Sequence, residues 1–325
     1  MSNEPIDAII TWVDGNDPKL KAKQAQYFTP AKNDDTQSSS RFVDTGELYY
    51  CISSILKFAP FIRNIFIVTD DQYPHAHLAR IKNRFGEEVM EQIKIVDHRE
   101  IFRGYENHLP TFNSRSIETM LFRVPGAAKN CVYFNDDMFI ARPLTPEDFF
   151  QNNRPVIYAS WKSSFLPRLT KKIRQTNYLQ RLGIKLRKLS YKETQCFSFT
   201  TLGIKSQYLQ FDHCPHPFCR ETVGDFFVEN ADLLEKNIIY KTRSEKQFYL
   251  MAISNGLEVL KGKVETFPIS LVYLKISAKQ KQLEYVERKQ KELLARNPKF
   301  LCIQELVTAS PAAQAAAIKW LDELI

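Results

Sequence analysis

The chain has 325 residues, 44% of them hydrophobic and 25% charged, with a formal net charge of +8. This length and composition fit one large α/β domain or two smaller ones, and they exclude disorder as the default state. The N-terminus lacks a basic segment followed by a long apolar one, and no stretch holds eighteen uncharged apolar residues, so we expect a cytoplasmic protein without signal peptide or membrane span.

The first part of the chain alternates short β-rich runs with helical ones. The patterns predict strands at residues 6–13, 64–69, 92–96 and 131–135. They predict helices between these strands, at residues 46–59, 77–85 and 116–124. Alternating helices and apolar strands indicate a Rossmann-like α/β fold with a mostly parallel sheet that is covered on both faces.

Acidic residues follow each predicted strand. They are Asp14 and Asp17, Asp70 and Asp71, Asp97, and the adjacent Asp136 and Asp137. Ligands of open parallel sheets bind beyond the carboxyl ends of the strands, so we expect these acids at the ligand-binding edge. For any single aspartate, a turn or a helix cap is the alternative role.

Asp136 and Asp137, the aspartate pair, have apolar residues on both sides. Adjacent carboxylates repel each other, and the arrangement is costly unless a cation lies between them. The sequence has no glycine-rich phosphate loop of the dinucleotide-binding or P-loop type. Carboxylates at strand ends are instead hard ligands for Mg²⁺ or Mn²⁺, which predicts a metal site of the kind that nucleotide-sugar transferases use.

Residues 162–192 contain ten Lys and Arg and no Asp or Glu, so the rest of the chain carries a net charge of −2. One helical face of this basic segment holds Leu179, Leu182, Leu186 and Leu189. An amphipathic basic helix can lie on an anionic membrane, bind an anionic polymer, or pack as an ordinary helix with a solvated side. We expect a polyanionic partner, either polymer or the inner face of the plasma membrane, and nucleic acid is the weaker alternative because no such binding motif accompanies the charge.

The sequence beyond residue 255 is rich in helix formers, at residues 278–297 and again after the Ser-Pro at 310–311. We therefore divide the chain into an α/β domain at 1–255, which includes the basic segment, and a helical region at 256–325. The helical region is expected to pack on the sheet domain or to form a dimer contact. Residues 29–42 are predicted to form a mobile loop near the first strand's active edge.

Several stretches resemble successive conserved regions of the Stealth family. They are residues 6–18, 46–72, 108–126, 132–150 and 212–221. This family comprises bacterial capsular and exopolysaccharide sugar-1-phosphate transferases and the animal N-acetylglucosamine-1-phosphotransferase that tags lysosomal enzymes. Residues 300–310 resemble its last region, but Gln304 and Glu305 stand where Asn and Asp are expected.

The resemblance implies a fold similar to A-type nucleotide-sugar glycosyltransferases. It also implies transfer of a hexose or N-acetylhexosamine 1-phosphate from a UDP-sugar to a hydroxyl of a capsular or exopolysaccharide, with release of UMP. A conventional glycosyltransferase that releases UDP and a non-catalytic polyanion-binding protein are the alternatives. The pair Asp136 and Asp137 would then hold Mg²⁺ or Mn²⁺ and the donor diphosphate.

The remaining site candidates follow from the same resemblance. A zinc site built from the histidines and cysteines of residues 212–221 is an alternative with little support, because no second Cys/His cluster exists and the six cysteines are scattered. We favour a general base in this loop, with His216 preferred narrowly over His213. The catalytic candidates are His216, His213, Asp17 and Asp14, and the substrate-binding candidates are Asn16, His108, Asn113, Asn135 and Arg243.

Overall fold

The computed structural model of the protein describes residues 4–27, 44–167, 169, 190–262, 264–276 and 281–325. The predicted loop at 29–42 and the four leucines of the predicted basic helix lie outside these residues.

Strands and helices alternate through the described part of the chain. The strands are β1 (Ile6–Thr11), β2 (Ile62–Thr69), β3 (Ile93–Asp97), β4 (Asn130–Asn135), β5 (Met138–Ile140), β6 (Phe150–Gln151), β7 (Arg154–Pro155), β8 (Ile157–Tyr158), β9 (Ser160–Ser163), β10 (Gln207–Gln210), β11 (His216–Cys219), β12 (Thr266–Phe267), β13 (Leu271–Lys275) and β14 (Phe300–Gln304). The α-helices are α1 (Pro18–Tyr27), α2 (Glu47–Phe58), α3 (His75–Phe85), α4 (His98–Ile101), α5 (Ser114–Thr119), α6 (Tyr191–Thr201), α7 (Arg220–Glu229), α8 (Ala231–Ile238), α9 (Leu250–Leu260), α10 (Gln282–Arg296) and α11 (Pro311–Leu324). Short 3₁₀ helices occupy Glu88–Gln92, Glu106–His108, Leu121–Arg123, Pro146–Asp148 and Leu306–Thr308.

The central sheet, as far as the described residues show it, has the strand order β11-β4-β1-β2-β3. β1 to β4 are parallel, and β11 runs antiparallel to β4 at one edge. Successive side chains of the apolar strands enter opposite cores: Ile10 packs in the core that includes α2, and Ile9 in the core that includes α9. The prediction of an α/β fold with a mostly parallel, doubly covered sheet is therefore confirmed.

The boundaries of the helix predicted at 116–124 differ from those in the structure. α5 begins at Ser114, because the Asn113 side-chain oxygen accepts a hydrogen bond from the Arg115 backbone N–H at 3.1 Å and caps the helix. It ends at Thr119, and a 3₁₀ turn at Leu121–Arg123 replaces its predicted second half.

The C-terminal region contains strands as well as the two predicted helices, which are α10 and α11. β13 and β14 are parallel, and β14 pairs antiparallel with β5 in a second sheet ordered β13-β14-β5. The predicted boundary after residue 255 falls inside α9, a helix with nine buried residues. Because β5 begins immediately after the aspartate pair, its pairing with β14 brings that C-terminal strand beside the aspartate pair.

Candidate active site

The aspartate pair forms the turn between β4 and β5. The side-chain amide of Gln304 donates to Asp137 Oδ2 at 3.0 Å, and the Ile303 backbone N–H donates to the Asp137 carbonyl at 3.1 Å. The second carboxylate oxygen, Asp137 Oδ1, is buried and has no hydrogen-bond partner. A buried acceptor without a donor is costly, so this oxygen is suited to a cation or to a donor from a ligand.

Two further carboxylates act electrostatically on the pair: Asp44, three residues before α2, and Glu47, the first residue of α2. We call these four groups the acid cluster. Burial and the charges of Asp137, Glu47 and Asp44 raise the pKa of Asp136 well above its usual value. Burial also raises the pKa of Asp137 to about 6, although its bond from Gln304 opposes the shift. Repulsion among these acids is what a bound cation would relieve.

The two carboxylates of the aspartate pair suit a hard divalent cation. In the described residues, no three His, Cys, Asp or Glu side chains converge closely enough to hold one ion. Mg²⁺ in phosphate-transfer sites is commonly bound by one or two carboxylates and completes its octahedron with water and substrate phosphate oxygens. The aspartate pair, with its unpartnered buried oxygen, fits that pattern.

The sequence analysis did not identify Asp44 and Glu47, whose pKa values are shifted in opposite directions. The Trp12 indole donates to Asp44 at 2.9 Å, and His77 Nε2 lies 2.5 Å from the same carboxylate oxygen. Burial opposes ionisation of Asp44, but the bond and charge of His77 outweigh it and lower the pKa. Burial raises the pKa of Glu47, whose oxygens accept from the Thr45 backbone and hydroxyl at 2.7 Å each. The spacing Asp-x-x-Glu before an apolar helix was the available signal.

The acids after β1 organise a turn beside the next strand. Asp14 Oδ1 accepts from the Asn16 backbone N–H at 2.8 Å, and Asn16 is exposed. Asp17 caps α1 by accepting from the Lys19 backbone N–H at 2.8 Å and also accepts from Gln72 Nε2 at 3.0 Å. These bonds lower the pKa of Asp17 despite partial burial. Asp14 thus has the turn role and Asp17 the helix-cap role that the sequence analysis gave as alternatives.

A cavity of about 280 Å³ opens at the carboxyl ends of β2 and β3. Its lining residues are Thr69, Asp71, Gln72, Tyr73, Ile95, Asp97 and Glu100. Gln72 joins this cavity to the turn after β1, because its side chain bonds both Asp14 and Asp17. The cavity lies at the edge where open parallel sheets bind ligands.

The two loop histidines differ in their surroundings. His216 is buried in β11 opposite Tyr133, and its Nε2 has no hydrogen-bond partner. Burial and the neighbouring His213 lower its pKa to about 3. His213 is partly exposed and stacks with two rings, those of Tyr191 and Tyr273, at centroid distances of 4.4 Å and 5.8 Å. Burial lowers the pKa of His213 to about 4, so both imidazoles are unprotonated at neutral pH.

On the face of the sheet that His216 shares, Glu118 is buried at 4% exposure, and its Oε2 has no hydrogen-bond partner. Burial raises its pKa to about 7 against the opposing charges of Arg243 and Arg115. Arg243 is exposed and donates to the Ser114 hydroxyl at 2.7 Å. Sequence reasoning found Arg243 but missed Glu118, since a single glutamate in a short helix gives no sign of burial.

The other substrate-binding candidates are scattered. Asn135 ends β4 beside the pair, and its side-chain oxygen accepts from the Tyr133 hydroxyl. Asn113 is buried, and its NH₂ group donates to the Tyr240 and Thr242 carbonyls and to Gln247, so its hydrogens are used within the protein. His108 Nε2 lies 3.1 Å from Glu235 of α8.

Residues 4–27 match the family model for Stealth conserved region 1, and residues 41–157 match the model for conserved region 2. The chain carries Stealth regions 1 and 2. The resemblance seen in the sequence motifs is therefore confirmed for these residues, and all four carboxylates of the acid cluster lie within region 2. The histidine loop and β14 lie beyond the matched residues.

Curated relatives of the Stealth regions are named as polysaccharide phosphotransferases. An exopolysaccharide phosphotransferase of Streptomyces coelicolor is 46% identical over 154 residues, 47% of this chain and 27% of that protein. The capsular polysaccharide phosphotransferase cps12A of Actinobacillus pleuropneumoniae is 42% identical over 165 residues, 49% of this chain and 41% of that protein. The aligned part of the chain thus spans well under half the length of these relatives.

Among solved structures, the galactosyltransferase LgtC in complex with donor and acceptor sugar analogues matches with a TM-score of 0.42 and 13% identity. The match covers 98% of this chain and 96% of that one. Mouse xyloside xylosyltransferase 1 matches with a TM-score of 0.43 and 10% identity, over 93% of this chain and 98% of that one.

Proposed function

We propose that the protein transfers a sugar 1-phosphate from a UDP-sugar to a hydroxyl of a capsular or exopolysaccharide and releases UMP. The observation that carries this proposal is the aspartate pair with its unpartnered Oδ1, at the carboxyl edge of a parallel sheet and inside Stealth region 2. The names of the curated relatives support the reaction class. The donor nucleoside and the released nucleotide come from the family resemblance.

The aspartate pair would hold Mg²⁺ or Mn²⁺, which neutralises diphosphate charge and polarises the attacked phosphorus when bound. By holding that ion, Asp136 and Asp137 would define where the donor diphosphate lies, at the end of β4. The exposed guanidinium of Arg243 provides a bidentate grip on phosphate oxygens. The cavity beside Gln72 is the place we assign to the nucleoside end of the donor, since it lies at the same edge of the sheet.

We assign the general base to His213 in place of the sequence preference for His216. His213 is the more accessible of the two, and its ring stacks with those of Tyr191 and Tyr273. The acceptor hydroxyl attacks the β-phosphorus, its proton passes to the unprotonated imidazole, and the bond from the β-phosphorus to the oxygen of UMP breaks. The unprotonated imidazole can accept that proton, and its lowered pKa makes it a weaker base than an exposed histidine.

We also infer a peripheral position on an anionic membrane. No helix within the described residues is long and apolar enough to cross a bilayer. At the start of the basic segment, Phe165 and Leu166 are 70% and 67% exposed, and Trp161 and Leu169 are also exposed. Exposed apolar side chains in a sequence segment that contains ten Lys and Arg fit a lipid surface better than a dissolved polymer, because only the lipid offers an apolar phase.

Incubation with a panel of UDP-sugars, Mg²⁺ and polysaccharide acceptors tests the proposed reaction by the identity of the released nucleotide. UMP is expected. UDP as the product would show a conventional glycosyltransferase instead, and the absence of turnover with every donor and acceptor would favour the polyanion-binding alternative.

A further inference from the structure

Gln304 links the C-terminal sheet to the aspartate pair through a hydrogen-bond chain. The Tyr273 hydroxyl donates to Gln304 Oε1 at 2.7 Å, and Gln304 Nε2 donates to Asp137 Oδ2 at 3.0 Å. Tyr273 and Gln304 come from neighbouring parallel strands, β13 and β14. The chain therefore runs from one strand through the next into the site.

Two hydrogen bonds fix the orientation of the Gln304 amide. An ionised carboxylate can only accept, so the NH₂ group must face Asp137 and the amide oxygen faces the Tyr273 hydroxyl, which donates to it. A flipped amide would set its oxygen against Asp137 Oδ2 and lose that bond, whereas the Tyr273 hydroxyl could accept in place of donating. Asp137 thus requires Gln304 to be a donor, and the Tyr273 hydroxyl anchors the other end of the amide.

This donor makes the two oxygens of Asp137 unequal. Oδ2 is occupied by the bond from Gln304, whereas Oδ1 is buried without a partner. The backbone of Asp137 is also held by β14, through the Ile303 N–H. Rotation of the carboxylate is therefore restricted, and one defined oxygen remains for a ligand.

We propose that Gln304 is a positioning residue that presents Asp137 Oδ1 to the divalent cation, with Tyr273 as the residue that anchors its amide oxygen. This inference rests on the proposed function, because it assumes a cation at the aspartate pair. Tyr273 also stacks against His213, so one side chain supports both the metal-binding carboxylate and the assigned base. Outer partners that orient a metal ligand typically contribute about 10- to 100-fold to metal affinity.

The test is a titration of the full chain with Mn²⁺ in the absence of donor. The electron paramagnetic resonance signal of free Mn²⁺ measures how much of the ion is bound. Gln304→Met keeps the approximate size and removes the donor, and we expect the Kd for Mn²⁺ to rise about tenfold or more. Tyr273→Phe removes the bond that anchors the amide oxygen and leaves the bond from Gln304 to Asp137, so a smaller rise is expected. Gln290→Met is the matched control, since Gln290 also donates to a carboxylate, that of Glu323 on the surface of the same region.

Turnover separates positioning from damage to the fold. Saturating Mn²⁺ should restore most of the kcat of Gln304→Met, and its thermal unfolding midpoint should match that of Gln290→Met. Wild-type Mn²⁺ affinity in a folded Gln304→Met overturns the inference and leaves the proposed function standing. If Gln304→Met does not fold, unchanged affinity in Tyr273→Phe overturns it equally. Absence of Mn²⁺ binding to the wild type would instead overturn the metal site and this inference with it.

Discussion

The imidazole of His213 stacks on the ring of Tyr191, with centroids 4.4 Å apart and planes at 19°. The ring of Tyr273 also stacks against the imidazole, with centroids 5.8 Å apart and planes at 17°. The two rings restrict the imidazole to one plane, and burial, which lowers its pKa to about 4, keeps it unprotonated. His213 is thus both orientated and in the protonation state that a general base requires.

Replacing His213 by alanine should lower kcat by roughly a hundredfold and leave the donor Kd nearly unchanged, the usual effect of losing a positioned base. His216→Ala is the matched comparison, and because His216 is buried its loss should act mainly on stability. Steady-state kinetics, donor titration and thermal melts on both variants make the check. A larger loss of kcat in a stable His216→Ala would instead restore the preference for His216.

Asp137→Asn should weaken metal and donor binding while the protein stays folded. Asparagine keeps the size of the side chain, and removal of one charge relieves repulsion within the acid cluster, so the unfolding midpoint should not fall. Calorimetric titration with Mn²⁺ and with donor measures the effect. Asp148→Asn serves as control, because Asp148 pairs with Lys299 at 2.7 Å outside the acid cluster. Normal binding and turnover in Asp137→Asn would reduce the pair to a structural turn.

Glu118→Gln should change the pH dependence of stability. In the folded protein burial raises the pKa of Glu118 from 4.5 to about 7, so the folded state binds the proton more tightly than the unfolded state. Stability is therefore lost as pH rises from about 4.5 to 7 and is constant above that range. Relative to wild type, Glu118→Gln should gain roughly 3 kcal/mol over this interval. Urea unfolding of both proteins at pH 5 and pH 8 gives the difference, and an equal difference at the two pH values would contradict the shifted pKa.

Membrane docking predicts that the double change Phe165→Ser and Leu166→Ser weakens binding to vesicles containing anionic lipid. The control is the double change Val228→Ser and Leu294→Ser, because Val228 on α7 and Leu294 on α10 are 82% and 73% exposed and also supply two apolar side chains. Co-sedimentation with vesicles at several salt concentrations is the measurement. Equal binding of both variants and wild type would reject a lipid-facing role for these side chains.

Much of the α/β core could be predicted from the sequence, because the signals of β1 to β4 are local. Each strand is an apolar run followed by an acid, and each lies next to a helical pattern. The motifs of the Stealth regions likewise lie in contiguous stretches, at 4–27 and 41–157. Local patterns were therefore sufficient to predict the sheet and the position of the aspartate pair at the carboxyl end of a strand.

The C-terminal strands could not be predicted in the same way. β13 and β14 are five-residue apolar runs between helix-forming stretches, and β14 is stabilised by pairing with β5, more than 150 positions earlier. Side-chain burial is equally non-local: Glu118 looks like any polar residue of a short helix, and the accessibility of His213 depends on rings from α6 and β13. These features arise from long-range packing, which a single sequence does not display.

The central claim is that phosphorus moves with the sugar, and donor labelled with ³²P at the β-phosphate tests it most directly. UDP-sugar carrying this label should be incubated with the protein, Mg²⁺ and polysaccharide acceptor, with Asp137→Asn as the inactive control. The account predicts that the label enters the polymer as a phosphodiester and that the released UMP is unlabelled. Label recovered in UDP, with unlabelled sugar in the polymer, would contradict it.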